Sequence, residues 1–387
     1  MLDLLFNGFL FFMVAIWIIG MVKHRSLAGF TGSLKTHSRL LVPIVVWAIF
    51  IGLCLSYVVW FDQFSDMHDI PKAVDSAVGD LTKGGNPYVD KVVPRFDTKY
   101  GQDTKVDNWT YNYLPLDLLV YTGFHGALGF LGSPLWFVVS NLLLWAAAFA
   151  MFYEFVPIKL RGYIPFAGTC AIFYSFDNAA LTALLMVGSV YCLRKLRPEM
   201  AGAMSIILMG LAVMTKAFAV VPFIVLLLWL MEEKLRVRSF LQTAKVAVEG
   251  ASAAAIGLII MLPFGVMNVL NSAVFFHMST ESRAGTSVGG TVLAELAMGS
   301  PYFAYAAVAI VALAILASFK FKTLNDRIVL ASVAFSLISI KSSLALLIVP
   351  ALFIVLQVRE WTAATDTRPE VIPLETVEVD SAVSSSK

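Results

Sequence analysis

Residues 41–61 read LVPIVVWAIFIGLCLSYVVWF, an unbroken run without a charged side chain. Its length matches the roughly 20 apolar residues that a helix needs to cross the hydrocarbon core of a bilayer. Immediately afterwards the chain changes character. Asp62 to Tyr113 is a polar loop of 52 residues with nine aspartates, six Lys/Arg and no glutamate. Its core reads Asp66-Met67-His68-Asp69, then Gly84-Gly85-Asn86-Pro87-Tyr88, and a second hydrophobic stretch follows directly. A long carboxylate-rich loop pinned at both ends to apolar segments suits chemistry at a membrane surface. The chain therefore reads as an enzyme before it reads as a transporter.

The rest of the composition agrees with a membrane setting. Of 387 residues, 59% are hydrophobic and 14% charged, and the mean hydropathy is +0.81. Soluble domains are about 45–50% apolar and about 25% charged, so one water-soluble core is excluded in favour of a multi-span protein. The net charge of +2 gives no footing for a nucleic-acid partner. Cys54, Cys170 and Cys192 all lie in apolar runs without metal-ligand spacing and read as small core residues. Met1-Leu2-Asp3-Leu4 lacks a basic leader region, so residues 4–21 are expected to be a retained span.

Twelve apolar segments can be drawn: 4–21, 41–61, 114–131, 134–153, 163–176, 179–193, 203–214, 217–231, 246–264, 302–319, 328–340 and 343–358. Backbone groups in lipid must be bonded within their own segment, which predicts an all-α polytopic fold. Basic clusters orient it. Lys23, Arg25, Lys35 and Arg39 mark one cytoplasmic stretch; Arg194, Lys195 and Arg197 mark another, as do Lys234, Arg236 and Arg238, and Lys320, Lys322 and Arg327. The loop 62–113, the Asp177-Asn178 turn, the break near Lys216, the loop 265–301 and Lys341 then face outside. A chain starting outside and ending inside needs an odd number of crossings, hence about eleven transmembrane helices. Between Arg39 and Arg194 lie five segments where an even number must cross. The first suspect is 114–131, which carries Asp117, His125 and three glycines. Residues 1–365 form one polytopic domain on this reading, and 366–387 a disordered acidic cytoplasmic tail.

The loop 62–113 is expected to lie along the outer surface as short amphipathic helices. Within it Ile70, Ala73, Val74, Ala77, Val78 and Leu81 recur at three- and four-residue spacing, which predicts one over 69–83. Asp69 at its start and Pro71 in its first turn make a helix N-terminus, and Gly84-Gly85 ends it. A capping role alone accounts for Asp69 as well as a chemical one does. Asp62, Asp90, Asp97, Asp103 and Asp107 read as solvated loop charges.

An acid past the first long span, a short amphipathic helix and Gly84-Gly85-Asn86-Pro87-Tyr88 together resemble the first external loop of GT-C superfamily glycosyltransferases. The closest likeness is to the polyprenol-phosphate-mannose-dependent mannosyltransferases. Tyr113-Leu-Pro115-Leu-Asp-Leu-Leu, Gly210-Leu-Ala-Val-Met-Thr-Lys216 with Pro222, Phe276-His277 with Arg283 and Ser287, and Lys341-Ser342-Ser343 with Pro350 extend the resemblance over most of residues 41–356. Lys341 stands where the family commonly has proline, and Asp66 competes with Asp69 for the position of the acid.

The resemblance implies an integral plasma membrane enzyme, with its active site on the extracytoplasmic face. It would move a sugar, mannose by family likeness, from a polyprenyl-phosphate donor to an acceptor hydroxyl on a glycan, lipid or protein, with inversion. Such a hydroxyl is a poor nucleophile at neutral pH, so a carboxylate must take its proton. Asp69, or Asp66, would serve. The phosphate leaving group needs cations or amide donors rather than an acid. Lys216, Arg283, His277 and Lys341 would supply them, with Tyr88 and Tyr113 lining the substrate site. Lys216 and Lys341 also fit the role of span-end lysines reaching for the interface, and His277 that of an interfacial histidine. Nothing in the sequence requires a metal or another cofactor, and some GT-C enzymes use a divalent ion while others do not. Two rival classes are a carrier or flippase for a lipid-linked or anionic substrate and a surface-polysaccharide polymerase or ligase. A carrier should show charges in mid-span, and a polymerase usually carries its large loop later in the chain.

Overall fold

The structure, a computed structural model, describes residues 70–97, 104–155, 177–275, 303–338 and 353. Within them the chain is mostly helical: α1 (Ile70–Thr82), α2 (Pro115–Leu128), α3 (Leu135–Tyr153), α4 (Ala179–Lys195), α5 (Pro198–Val213), α6 (Val220–Arg236), α7 (Phe240–Met261), the short α8 (Val266–Val269), α9 (Phe303–Ser318) and α10 (Leu324–Ile338). Each of α2 to α7, with α9 and α10, falls on one of the apolar segments of the sequence. The segments 4–21, 41–61 and 163–176, nearly all of 343–358, and the tail 366–387 lie outside the described residues.

α1 forms where the apolar spacing predicts it, burying Pro71, Ala73, Val74, Ala77 and Val78. Gly84 ends it in the left-handed region at φ +83°, which glycine adopts without a Cβ penalty. The remainder of the loop departs from expectation. Instead of further short helices, β1 (Val93–Asp97) and β2 (Thr104–Trp109) pair as an antiparallel hairpin, with Val93 opposite Trp109 and Phe96 opposite Lys105. Valine, threonine, phenylalanine and tryptophan, residue types that favour strands, are spread over the two segments without a strict alternation. Pro94 sits beside an irregularity in the register between Pro94 and Phe96, where a missing N–H is tolerated.

Two helices, Leu135–Tyr153 and the Phe240–Phe264 unit of α7 with its 3₁₀ extension, are long and apolar enough to cross a membrane. The second is only 22% buried over its apolar window. Its outer face leaves Phe240 and Leu241 more than 80% exposed, and α9 likewise bares Tyr305, Val308, Leu313 and Leu316. Apolar faces of this extent are rare on proteins surrounded by water alone. Several of the apolar segments are shorter than the roughly 20 residues of a straight span, and several of the described helices share this. Among the described helices α4, α5, α6, α9 and α10 have 15 to 17 residues, or about 23–26 Å at the helical rise.

The helix ends sort into two faces. On one, the loop meets the start of α2, the start of α4, the α5–α6 break and the end of α7. On the other, Glu154 after α3 pairs with Lys195 at the end of α4 at 2.6 Å. There too Glu232 of α6 holds Arg236 at 2.5 Å and pairs with Arg327 of α10. α2 departs from this pattern. It starts beside Asn178, and its far turn sets His125 edge-on to Trp136 at 5.1 Å, while the Trp136 indole donates to Asp75 of α1 at 3.0 Å. Both ends of α2 thus lie on the loop side. Gly210 of α5 lets α7 approach closely, because a Cβ there would meet the Ala253 methyl at 2.9 Å.

Arg327 is 2% exposed, donates to the Phe321 carbonyl at 2.8 Å and lies 5.2 Å from the Phe319 ring centre. Its hydrogen bond holds the Glu232 carboxyl below the usual range. The pair is asymmetric among the described residues, because Glu232 keeps Arg236 if Arg327 is removed while Arg327 pairs with no second acid there. Glu232→Gln should therefore cost the roughly 3–5 kcal/mol of a stranded buried charge, and Arg327→Met clearly less. The double variant should match Arg327→Met in thermal unfolding in detergent. Equal losses in the two single variants would contradict this account.

Candidate functional site

A few polar contacts latch the loop to the helix ends. The Asn86 amide donates to the Phe264 carbonyl at 3.0 Å, and its side-chain oxygen accepts the Tyr88 N–H at 3.1 Å. Tyr88 is buried, and its hydroxyl donates to the Tyr113 carbonyl at 2.7 Å. Ser272 donates to the Tyr88 carbonyl at 3.2 Å, and the Tyr111 N–H to the Pro87 carbonyl at 2.7 Å. The Asn-Pro-Tyr turn is thus structural in its own right. Burial pushes the Tyr88 and Tyr111 phenols well above their ordinary value, with the Asp117 carboxyl adding to it, so both remain neutral donors.

Beneath the latch lies Asp117, fully buried in the first turn of α2. Its Oδ2 accepts from the Tyr111 hydroxyl at 2.9 Å and from the Asn178 amide at 2.6 Å. The end of the loop, the first turn of α2 and the residue before α4, 61 positions on, meet at this one oxygen. Asn178 is the residue that precedes α4, but its side-chain oxygen makes no cap hydrogen bond, while its amide nitrogen donates to Asp117. The α2 backbone adds a bond from the Leu116 N–H to the Met214 carbonyl at 3.1 Å, which fixes the turn to the α5–α6 break.

Lys216 sits in that break with extended backbone, at φ −141° and ψ 128°. Its ammonium pairs with Asp177 at 2.6 Å and lies 5.4 Å from the centre of the Tyr113 ring. Both partners of the pair are less than one-sixth exposed. One residue back, Thr215 shares a hydrogen bond with Thr182 of α4 at 2.8 Å. The Gly-Leu-Ala…Lys segment therefore ends a helix and delivers an amine to the loop face.

Of the residues singled out in the sequence, Lys216, Tyr113 and Tyr88 come together. Asp69, Asp66, His277, Arg283 and Lys341 lie outside the described residues. Lys216 is already paired with Asp177, and the Tyr88 hydroxyl is already engaged in the latch. Asp117, Asp177, Asn178 and Tyr111 were not among the sequence candidates. The available signal was an acid within an apolar segment, which marks function or a partner; it had been used only to question whether 114–131 crosses. Among the described residues no three His, Cys, Asp or Glu side chains gather as a metal site. Comparison of the chain with protein-family models, with curated proteins and with solved structures finds no match.

Tyr88→Phe removes the donor to the part-buried Tyr113 carbonyl, a loss of about 0.5–1.5 kcal/mol. Native-state trypsin should then cut faster at the exposed Lys83 and Lys91. Unchanged cutting would show that the loop is held by other contacts.

Proposed function

We propose that this chain is a polytopic membrane glycosyltransferase of the GT-C type. It transfers a sugar, mannose by family likeness, from a polyprenyl-phosphate donor to an acceptor hydroxyl on the extracytoplasmic face. The observation that supports this most is the docking of the loop over the α5–α6 break. α1, which follows Asp69 directly, Tyr113 and Lys216 share one face of the helices, while the basic turns occupy the other.

On this reading 114–131 is the segment that does not cross. The segments 41–61, 134–153, 163–176 and 179–193 then make four crossings and return Arg39 and Arg194 to the same side. Eleven spans remain of the twelve segments. The two ends of α2 beside α1 support this choice.

In the reaction the acceptor oxygen attacks the anomeric carbon and its proton passes to Asp69, with Asp66 as the alternative base. The bond from carbon to the phosphate oxygen breaks with inversion, and the electron pair leaves on polyprenyl phosphate. Lys216 can meet that phosphate only by sharing or releasing Asp177, which places more of the phosphate binding on Arg283, whose guanidinium can hold two oxygens at once. His277 and Lys341 complete the cationic set in this proposal.

The buried Asp117 and the Asp177–Lys216 pair also favour a second reading, a carrier, since buried charge among apolar helices often marks a transport path. One assay separates the two. Purified protein given polyprenyl-phosphate mannose and a crude acceptor fraction should release polyprenyl phosphate, and a carrier should leave the sugar–phosphate bond intact. Asp69→Asn keeps size and capping but not basicity, so release should fall by the roughly 10²–10⁴-fold typical of a lost general base. Release within a few-fold of wild type in Asp69→Asn, with Asp66→Asn inactive, would move the base to Asp66. No release by the wild-type protein would reject the transferase.

A further inference from the structure

The Asp117–Asn178 contact is incomplete in an informative way. Both residues are fully buried, and the Asn178 amide nitrogen donates to Asp117 Oδ2 at 2.6 Å. Among the described residues the remaining oxygens, Asp117 Oδ1 and Asn178 Oδ1, are both buried acceptors without a partner. A carboxyl and a primary amide joined by one N–H···O bond each keep a second oxygen, and two buried acceptors without a hydrogen are costly. A carboxylic acid pairs with an amide through a second bond, from its O–H to the amide oxygen, so one proton on the carboxyl would satisfy both.

We propose that Asp117 and Asn178 form a buried proton-binding site, with the proton on Asp117 Oδ1 donated to Asn178 Oδ1. The local charge favours it. Among the described residues the titratable and charged groups around Asp117 are Tyr88 and Tyr111 from the loop, Tyr121 of its own helix, Asp177 before α4 and Lys216 in the break, with Tyr113 beneath Lys216. Tyr121 is spent on Asn141 of α3, and the tyrosines are neutral. With both aspartates ionised and one lysine, the buried group would carry one uncompensated negative charge; a proton on Asp117 brings it to zero. Burial acts in the same sense, pushing the Asp117 carboxyl up to about 7 against the pull of Asn178, Lys216 and Tyr111. Loss of the proton leaves both buried oxygens bare in the cluster where Tyr111 ties the loop to α2. Loop docking is thereby linked to pH. The site does not depend on the transferase reading and holds equally for a carrier.

Asp117→Asn is the direct test, because an asparagine amide replaces the protonated acid hydrogen bond for hydrogen bond. The folded carboxyl lies above its unfolded value of about 3.9, so the wild type loses stability as pH rises from about 4 through about 7 and then levels off. The variant has no such proton to lose. Its unfolding midpoint in detergent, relative to wild type, should rise over that interval and be at least as high at about pH 8. Infrared spectra of the wild type near pH 6 should show a protonated-carboxyl band that the variant lacks. A variant that fails to fold, a midpoint difference flat with pH, or identical carboxyl bands would each overturn the proton. So would wild-type stability that requires sodium over choline at neutral pH, which would put a metal cation between the same two oxygens.

Discussion

One buried oxygen organises the loop face. Asp117 Oδ2 receives the Tyr111 hydroxyl from the loop and the Asn178 amide from the head of α4, while the same turn of α2 is bonded to the end of α5. Charge-assisted or strongly polarised hydrogen bonds in a dry setting are directional and costly to break. They fix registry where apolar packing alone would allow sliding. The aromatic residues around them, Tyr88, Tyr111, Tyr113 and Phe264, meet edge to face and fill the remaining volume.

The opposite face is held by a different kind of contact. Glu154–Lys195 and the Glu232, Arg236 and Arg327 group tie together helix ends that carry the basic residues of the chain. Between the two faces the helices meet through apolar packing and a few hydroxyl pairs, such as Ser189 with Ser205. Polar chemistry is thus confined to the ends of the helices, with one cluster rich in carboxyl and phenol groups and the other rich in guanidinium and ammonium.

Helix positions were legible because apolar runs and their polar punctuation follow from backbone chemistry alone. α1 was legible to within a residue at each end, since Pro71 and Gly84 act locally. The hairpin at 93–109 was not legible because its two short strands lack a clean alternation and sit within a charge-rich stretch. The Asp117 cluster was hidden for another reason. Asn178 and Lys216 are distant in sequence from Tyr111 and Asp117, and only packing brings them together. Asp177-Asn178 before a helix looks like an ordinary cap. Lys216 was found because a basic residue at a helix break is locally visible, but the Asp177 that neutralises it is not.

The division into two faces is tested most directly by cysteine accessibility in intact cells. Single cysteines at Lys91 and Arg238, in a background lacking Cys54, Cys170 and Cys192, place one thiol on the loop face and one on the basic face. Both native side chains are exposed. An impermeant thiol reagent should label the Lys91 position from outside and reach the Arg238 position only after the cells are opened. Labelling of both positions from outside, or of Arg238 alone, would contradict the arrangement.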